Sequence, residues 1–121
     1  MNCGLRVRLA EITSSLQGEW SRIDQLWQEG LRSFGGPFLA GPHFTAVDAF
    51  FAPLAFRTQT YSPNLSKDAN GYVNRLLQLP AMKSWYDAAL LEPWRDEEHE
   101  QEARAAGEWI ADLRTPTLNT A

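Results

Sequence analysis

Apolar positions in this chain recur at steps of three and four, the spacing of helices that bury one face. Leu16, Trp20, Ile23, Trp27, Leu31 and Phe34 lie on one such stripe. It predicts a helix capped by Ser14 or Ser15 and stopped by the run Gly35-Gly36-Pro37. Gly18 and Gly30 fall inside it, each costing up to about 1 kcal/mol relative to alanine. A third helix is predicted from about Ser66 to Gln78, with Tyr72, Val73, Leu76 and Leu77 as its apolar side. A fourth opens on Pro80, whose missing N–H is no loss in a first turn, carries Met82, Trp85, Tyr86, Ala89 and Leu90, and stops at Pro93. The segment "RDEEHEQEARAAGEWIADLR" reads as a further, largely solvated helix whose far end Trp109, Ile110 and Leu113 could pin. No window alternates β-branched with polar residues between turn signals, so strands are not expected.

The second helix has the most informative start. In "FLAGPHFTAVDAFFAPLAFR", residues 38–57, Thr45 and Asp48 stand at the N-cap and three residues on, the spacing of a capping box. A carboxylate there also suits the positive end of the helix dipole. Phe44 holds the staple position, but Ala49 offers it only a small partner. The following turns, with Val47, Phe50, Phe51, Leu54, Ala55 and Phe56, are apolar nearly all round, which predicts a central helix with neighbours on several sides. Pro53 removes one backbone bond and bends it. Asp48 reads as a cap, not a catalytic carboxylate, since no base or metal ligand is suitably spaced. Losing it is expected to cost about 1–3 kcal/mol. The fold class is therefore all-α, a bundle of about five helices. Residues 1–13 read as an irregular lead-in, 14–113 as a single helical domain and 114–121 as a frayed tail.

Composition adds mainly exclusions. The chain has 121 residues, 44% hydrophobic and 21% charged, with a net charge of −4. That balance argues against a nucleic-acid partner, which needs a basic patch. No apolar run approaches the roughly 20 residues that span a bilayer, and the first residues lack the pattern of a signal peptide. The single cysteine excludes an internal disulfide and favours a reducing, cytoplasmic setting.

The segments "FLAGPHFTAVDAFFAPLAFR", "SSLQGEWSRIDQLWQEG" and "YVNRLLQLPAMKSWYDAALLEPW" together resemble the C-terminal helical domain of bacterial cytosolic glutathione S-transferases over roughly residues 12–100. Gly41, Thr45 and Asp48 match the family's Ser/Thr-x-x-Asp box and the loop before it. The resemblance implies a parent activity in which glutathione is conjugated to hydrophobic electrophiles and this domain walls the acceptor pocket. It also implies that the thioredoxin-like domain, which binds glutathione as co-substrate and carries the activating residue, is absent from this sequence. The chain alone is thus expected to lack catalytic, cofactor-binding and metal-binding residues. Its expected partner is such a domain, or a second copy docked through exposed apolar surface. The alternative is a stand-alone helical interaction module without catalysis.

In the resembling enzymes the end of the second helix faces the interdomain cleft. Arg57 and Tyr61 are therefore the candidate pocket-lining residues, with Trp94 a similar case. Cys3 reads as a free thiol without a role, and His43 and His99 as solvated. Trp20, Trp27 and Trp85 read as core, and Asp96–Glu102 as a solvated face.

Overall fold

A computed structural model describes residues 2–114. Five helices dominate it: α1 (Ser14–Phe34), α2 (Ala46–Tyr61), α3 (Lys67–Leu77), α4 (Pro80–Leu90) and α5 (Glu97–Ala106). The all-α bundle is joined by one feature that the sequence pattern did not predict. β1 (Leu5–Leu9) pairs antiparallel with β2 (Gly107–Asp112), Leu5 opposite Asp112 and Arg8 opposite Glu108. The expected irregular lead-in thus holds a strand, and the expected last helix ends at Ala106. The cause lies in two short stretches. "LRVRL" buries Leu5 and Val7 on one side while Arg8 faces water, a period-2 pattern. At Gly107 an added Cβ would lie 2.0 Å from the Arg8 carbonyl oxygen, so only glycine lets the two backbones meet there.

Local chemistry sets the helix ends. Thr13, one residue ahead of the expected caps, accepts the Leu16 N–H at 3.1 Å to start α1, and Gly35 ends it with φ 82°. Gly30 has a packing reason: a Cβ there would lie 2.9 Å from the Leu39 carbonyl oxygen. Ser66 caps α3, and Pro80 sits in the first turn of α4. Asp24 of α1 holds that α3 cap from outside, accepting Ser66 N–H and Oγ, both at 2.6 Å. Partial burial pushes the Asp24 carboxyl pKa up, but the hydrogen bonds from Ser66 outweigh this and the net shift is downward. A lowered folded pKa gives stability that is present above the unfolded pKa and fades as pH falls through the folded one. Thermal unfolding followed across acid pH should therefore show a shallower pH dependence in Asp24→Asn than in wild type. Equal slopes would mean that the α1–α3 tie is not linked to ionisation.

The core gathers around α2. Trp27, wholly buried, packs edge-on against Phe51 and Tyr72, with ring centroids 5.6 and 5.3 Å apart. Asp48 is also wholly buried, and its reach exceeds that of a cap. Its carboxylate accepts the Thr45 N–H at 2.9 Å, the Leu39 N–H at 3.2 Å and the Tyr72 hydroxyl at 2.8 Å. One side chain thus fastens the start of α2 to the preceding loop and to α3. Burial first, and then the bond to Asp48, raise the Tyr72 hydroxyl pKa above its ordinary value. The far side of α2 corrects the expectation of a helix surrounded by neighbours, because Phe50 is 84% exposed and Val47 lies open as well.

The acidic run also differs from its expected solvated face. Glu100 is buried against Arg95 at 2.8 Å, and Arg114 approaches the same oxygen at 3.9 Å. Arg114 is itself buried and donates to the carbonyls of Glu92 and Trp94, closing the segment between α4 and α5 onto the end of β2. The expected frayed tail begins at this anchored residue. Its remainder, 115–121, lies outside the described residues. Among the described residues no helix is long and apolar enough to cross a membrane.

Candidate functional site

One face of α2 organises the site. Val47, Phe50, Leu54, Arg57 and Tyr61 follow one another at steps of three and four, so they form a single stripe along the helix. Its first half is the open apolar surface at Val47 and Phe50. Its second half lines a hollow of about 220 Å³ beside α1, where Leu54, Arg57 and Tyr61 face Leu16, Trp20 and Ile23. A second hollow of about 300 Å³ shares Leu16, Trp20 and Tyr61 and is closed by the ribbon through Val7, Leu9 and Ile110. The two form a cleft with largely apolar walls between α1, the end of α2 and the β-ribbon.

Two of the expected pocket residues therefore meet. Arg57 and Tyr61 sit one turn apart, and Arg57 has no partner among the described residues, so its charge is available at the rim. Tyr61 lies half-buried against Leu5, Val7 and Ala103, held by the ribbon and α5. Trp94 is elsewhere. It is 69% exposed and borders a separate hollow with His99 and Arg114. Thr45 and Asp48 occupy the opposite end of α2, roughly 20 Å from Tyr61 at the rise of an α-helix.

Cys3 moves closer to the site than its sequence position suggested. A recess of about 240 Å³ on the other side of Arg57 and Tyr61 is lined by Cys3, Phe56 and His99. The thiol is nonetheless buried, and burial pushes its pKa up, with the nearby Arg6 charge offsetting this only in part. A protonated, enclosed thiol is a poor nucleophile. His99 pairs with Asp96 at 2.9 Å on the surface. Among the described residues no cluster of His, Cys, Asp or Glu could hold a metal ion. The cleft offers apolar contact, aromatic faces and two arginines, Arg8 paired with Glu108 and Arg57 without a partner among the described residues, which suits binding more than bond-making.

The ribbon residues Val7, Leu9 and Ile110 were missed as cleft walls. The alternation in "LRVRL" was the available signal, and nothing in the sequence showed that its partner lay at residues 107–112.

Comparison with known proteins adds one finding. Residues 9–88 match the family model described as glutathione S-transferase, C-terminal domain. The match spans α1 to nearly the end of α4 and stops short of α5 and β2. No curated protein and no solved structure matches the chain.

Proposed function

Because the chain belongs to the glutathione S-transferase C-terminal domain family, we propose that its cleft is the acceptor-side pocket for an apolar electrophile. Glutathione and its activation would then come from a thioredoxin-like domain, within the same polypeptide or on another. The observation that carries this reading is the convergence of Trp20, Tyr61 and Arg57, which has no partner among the described residues, on one largely apolar cleft. Aromatic faces bind a planar apolar ring, and a guanidinium at the rim steadies negative charge that develops on it. In this reading the buried Cys3, whose thiol pKa burial raises, takes no part, and the donor that lowers the glutathione thiol pKa belongs to the other domain.

Titration of the 121-residue chain with chlorodinitrobenzene, followed by tryptophan fluorescence, tests the pocket. Saturable quenching is expected, weakened about tenfold in Tyr61→Ala and largely lost in Trp20→Phe. Added glutathione should give no conjugate above the uncatalysed rate. Absence of quenching would remove the pocket reading, and enzymatic conjugation would overturn the assignment of activation to another domain.

The open stripe at Val47 and Phe50 favours a second reading, in which α2 docks on another domain or another copy of the chain. Sedimentation of the same sample separates the two, because a discrete oligomer that ignores the electrophile supports an interaction module.

A further inference from the structure

A further hollow lies between α2, α3 and α4 and shares no lining residue with the cleft. It measures about 280 Å³, and its walls carry Gln59, Asn74, Gln78, Lys83, Tyr86 and Asp87. Five of these polar side chains, all but Tyr86, have no hydrogen-bond or ion-pair partner among the described residues. The carbonyl oxygen of Gln59 is moreover buried with no donor. An orphaned buried acceptor is costly, and an ordered water or a small ligand in the hollow would satisfy it. Tyr86 hydroxyl accepts from Arg6 at 3.2 Å, which leaves its own proton to donate.

The charges around the hollow bear on which ligand would fit. Lys83 and Asp87 stand one turn apart on α4 and border the same hollow, yet no ion pair joins them. A lysine placed N-terminal to its acid is the weaker orientation for such a pair. Along the helix they are separated by about 6 Å. A small molecule with a carboxylate and an ammonium on one carbon can bridge them, the carboxylate to Lys83 and the ammonium to Asp87. The same ammonium can donate to Gln59, while Asn74 and Gln78, also one turn apart, offer amides to the remaining carboxylate positions.

We propose that the hollow between α2, α3 and α4 is a binding site for a free α-amino acid, held as a zwitterion by Lys83 and Asp87 and seated on the Gln59 carbonyl. The site is independent of the electrophile cleft. Calorimetric titration of the 121-residue chain with L-alanine, with acetate and methylammonium as single-charge controls, tests it. Saturable binding in the millimolar range is expected for alanine alone. Side-chain amide resonances of Gln59, Asn74 and Gln78 should shift with the same saturation. Lys83→Met and Asp87→Asn, both surface changes that leave the core intact, should each weaken binding about tenfold with an unchanged unfolding midpoint. No saturable heat overturns the proposal. So does equal binding of either control, or undiminished binding in both variants.

Discussion

Asp48→Ala should lose about 4 kcal/mol of folding stability, more than a helix cap alone would cost. The increase over a cap comes from the number of donors left behind. Removing the carboxylate orphans the N–H groups of Thr45 and Leu39 and the buried hydroxyl of Tyr72 together. Each unsatisfied buried group costs about 1–3 kcal/mol, and relaxation or an entering water recovers part of the total. For a domain of ordinary stability, about 5–15 kcal/mol, a loss of that size leaves a marginal fold. Urea unfolding followed by tryptophan fluorescence reads it directly, because the Trp27 ring packs on Tyr72. Tyr72→Phe is the internal control. It removes one donor and leaves the carboxylate the Thr45 and Leu39 N–H groups and the longer bond from the Thr45 hydroxyl, so a loss of about 1–2 kcal/mol is expected. Equal losses in the two variants would show that the Tyr72 bond carries the whole network and that the loop contact at Leu39 adds nothing.

Gly107→Ala should detach the β-ribbon, at a cost of about 3 kcal/mol. The new methyl would meet the Arg8 carbonyl oxygen at 2.0 Å and the Leu9 Cα at 2.8 Å. Both are backbone atoms, so no rotamer change relieves the clash and the strands must part. The helices from α1 to α4 keep their own core around Trp27 and Tyr72. Helical circular dichroism should therefore survive, while amide exchange at Leu5–Leu9 and Gly107–Asp112 loses its protection. Electrophile binding should fall in parallel, since Val7, Leu9 and Ile110 close the cleft. A variant with full exchange protection would mean that the ribbon tolerates a Cβ at this crossing.

The helical part of this fold was legible because long amphipathic segments carry redundant signals. Trp20 and Trp27 lie on the expected buried stripe, Ser66 and Pro80 mark real starts, and the Gly35 stop holds. The ribbon was not legible, for two reasons. β1 is five residues long and two of them are arginines, so its alternation looks like a polar lead-in. β2 follows directly on an alanine- and glutamate-rich helix, and its boundary is a single glycine. Burial at Glu100 was hidden because it depends on Arg95 and on Arg114, residues that no local period connects. The exposure of Phe50 reversed the expectation from its apolar surroundings, since a sequence records hydrophobicity but not which neighbours a helix has. Arg57 and Tyr61 were candidates through the family resemblance, and both line the hollow beside α1. The opposite wall depended on a pairing between the two ends of the chain.

That pairing turns the described chain into a ring. Leu5 stands across from Asp112, so five helices are strung on a single loop whose clasp is the ribbon. Closing a loop grows slowly more expensive with length, by about 0.6 kcal/mol per doubling, so a clasp this far apart in sequence costs little more than a nearer one. It also works as a unit, because releasing either strand strips the other of its partner. The cleft wall made by Val7, Leu9 and Ile110 therefore depends on both strands of the clasp together.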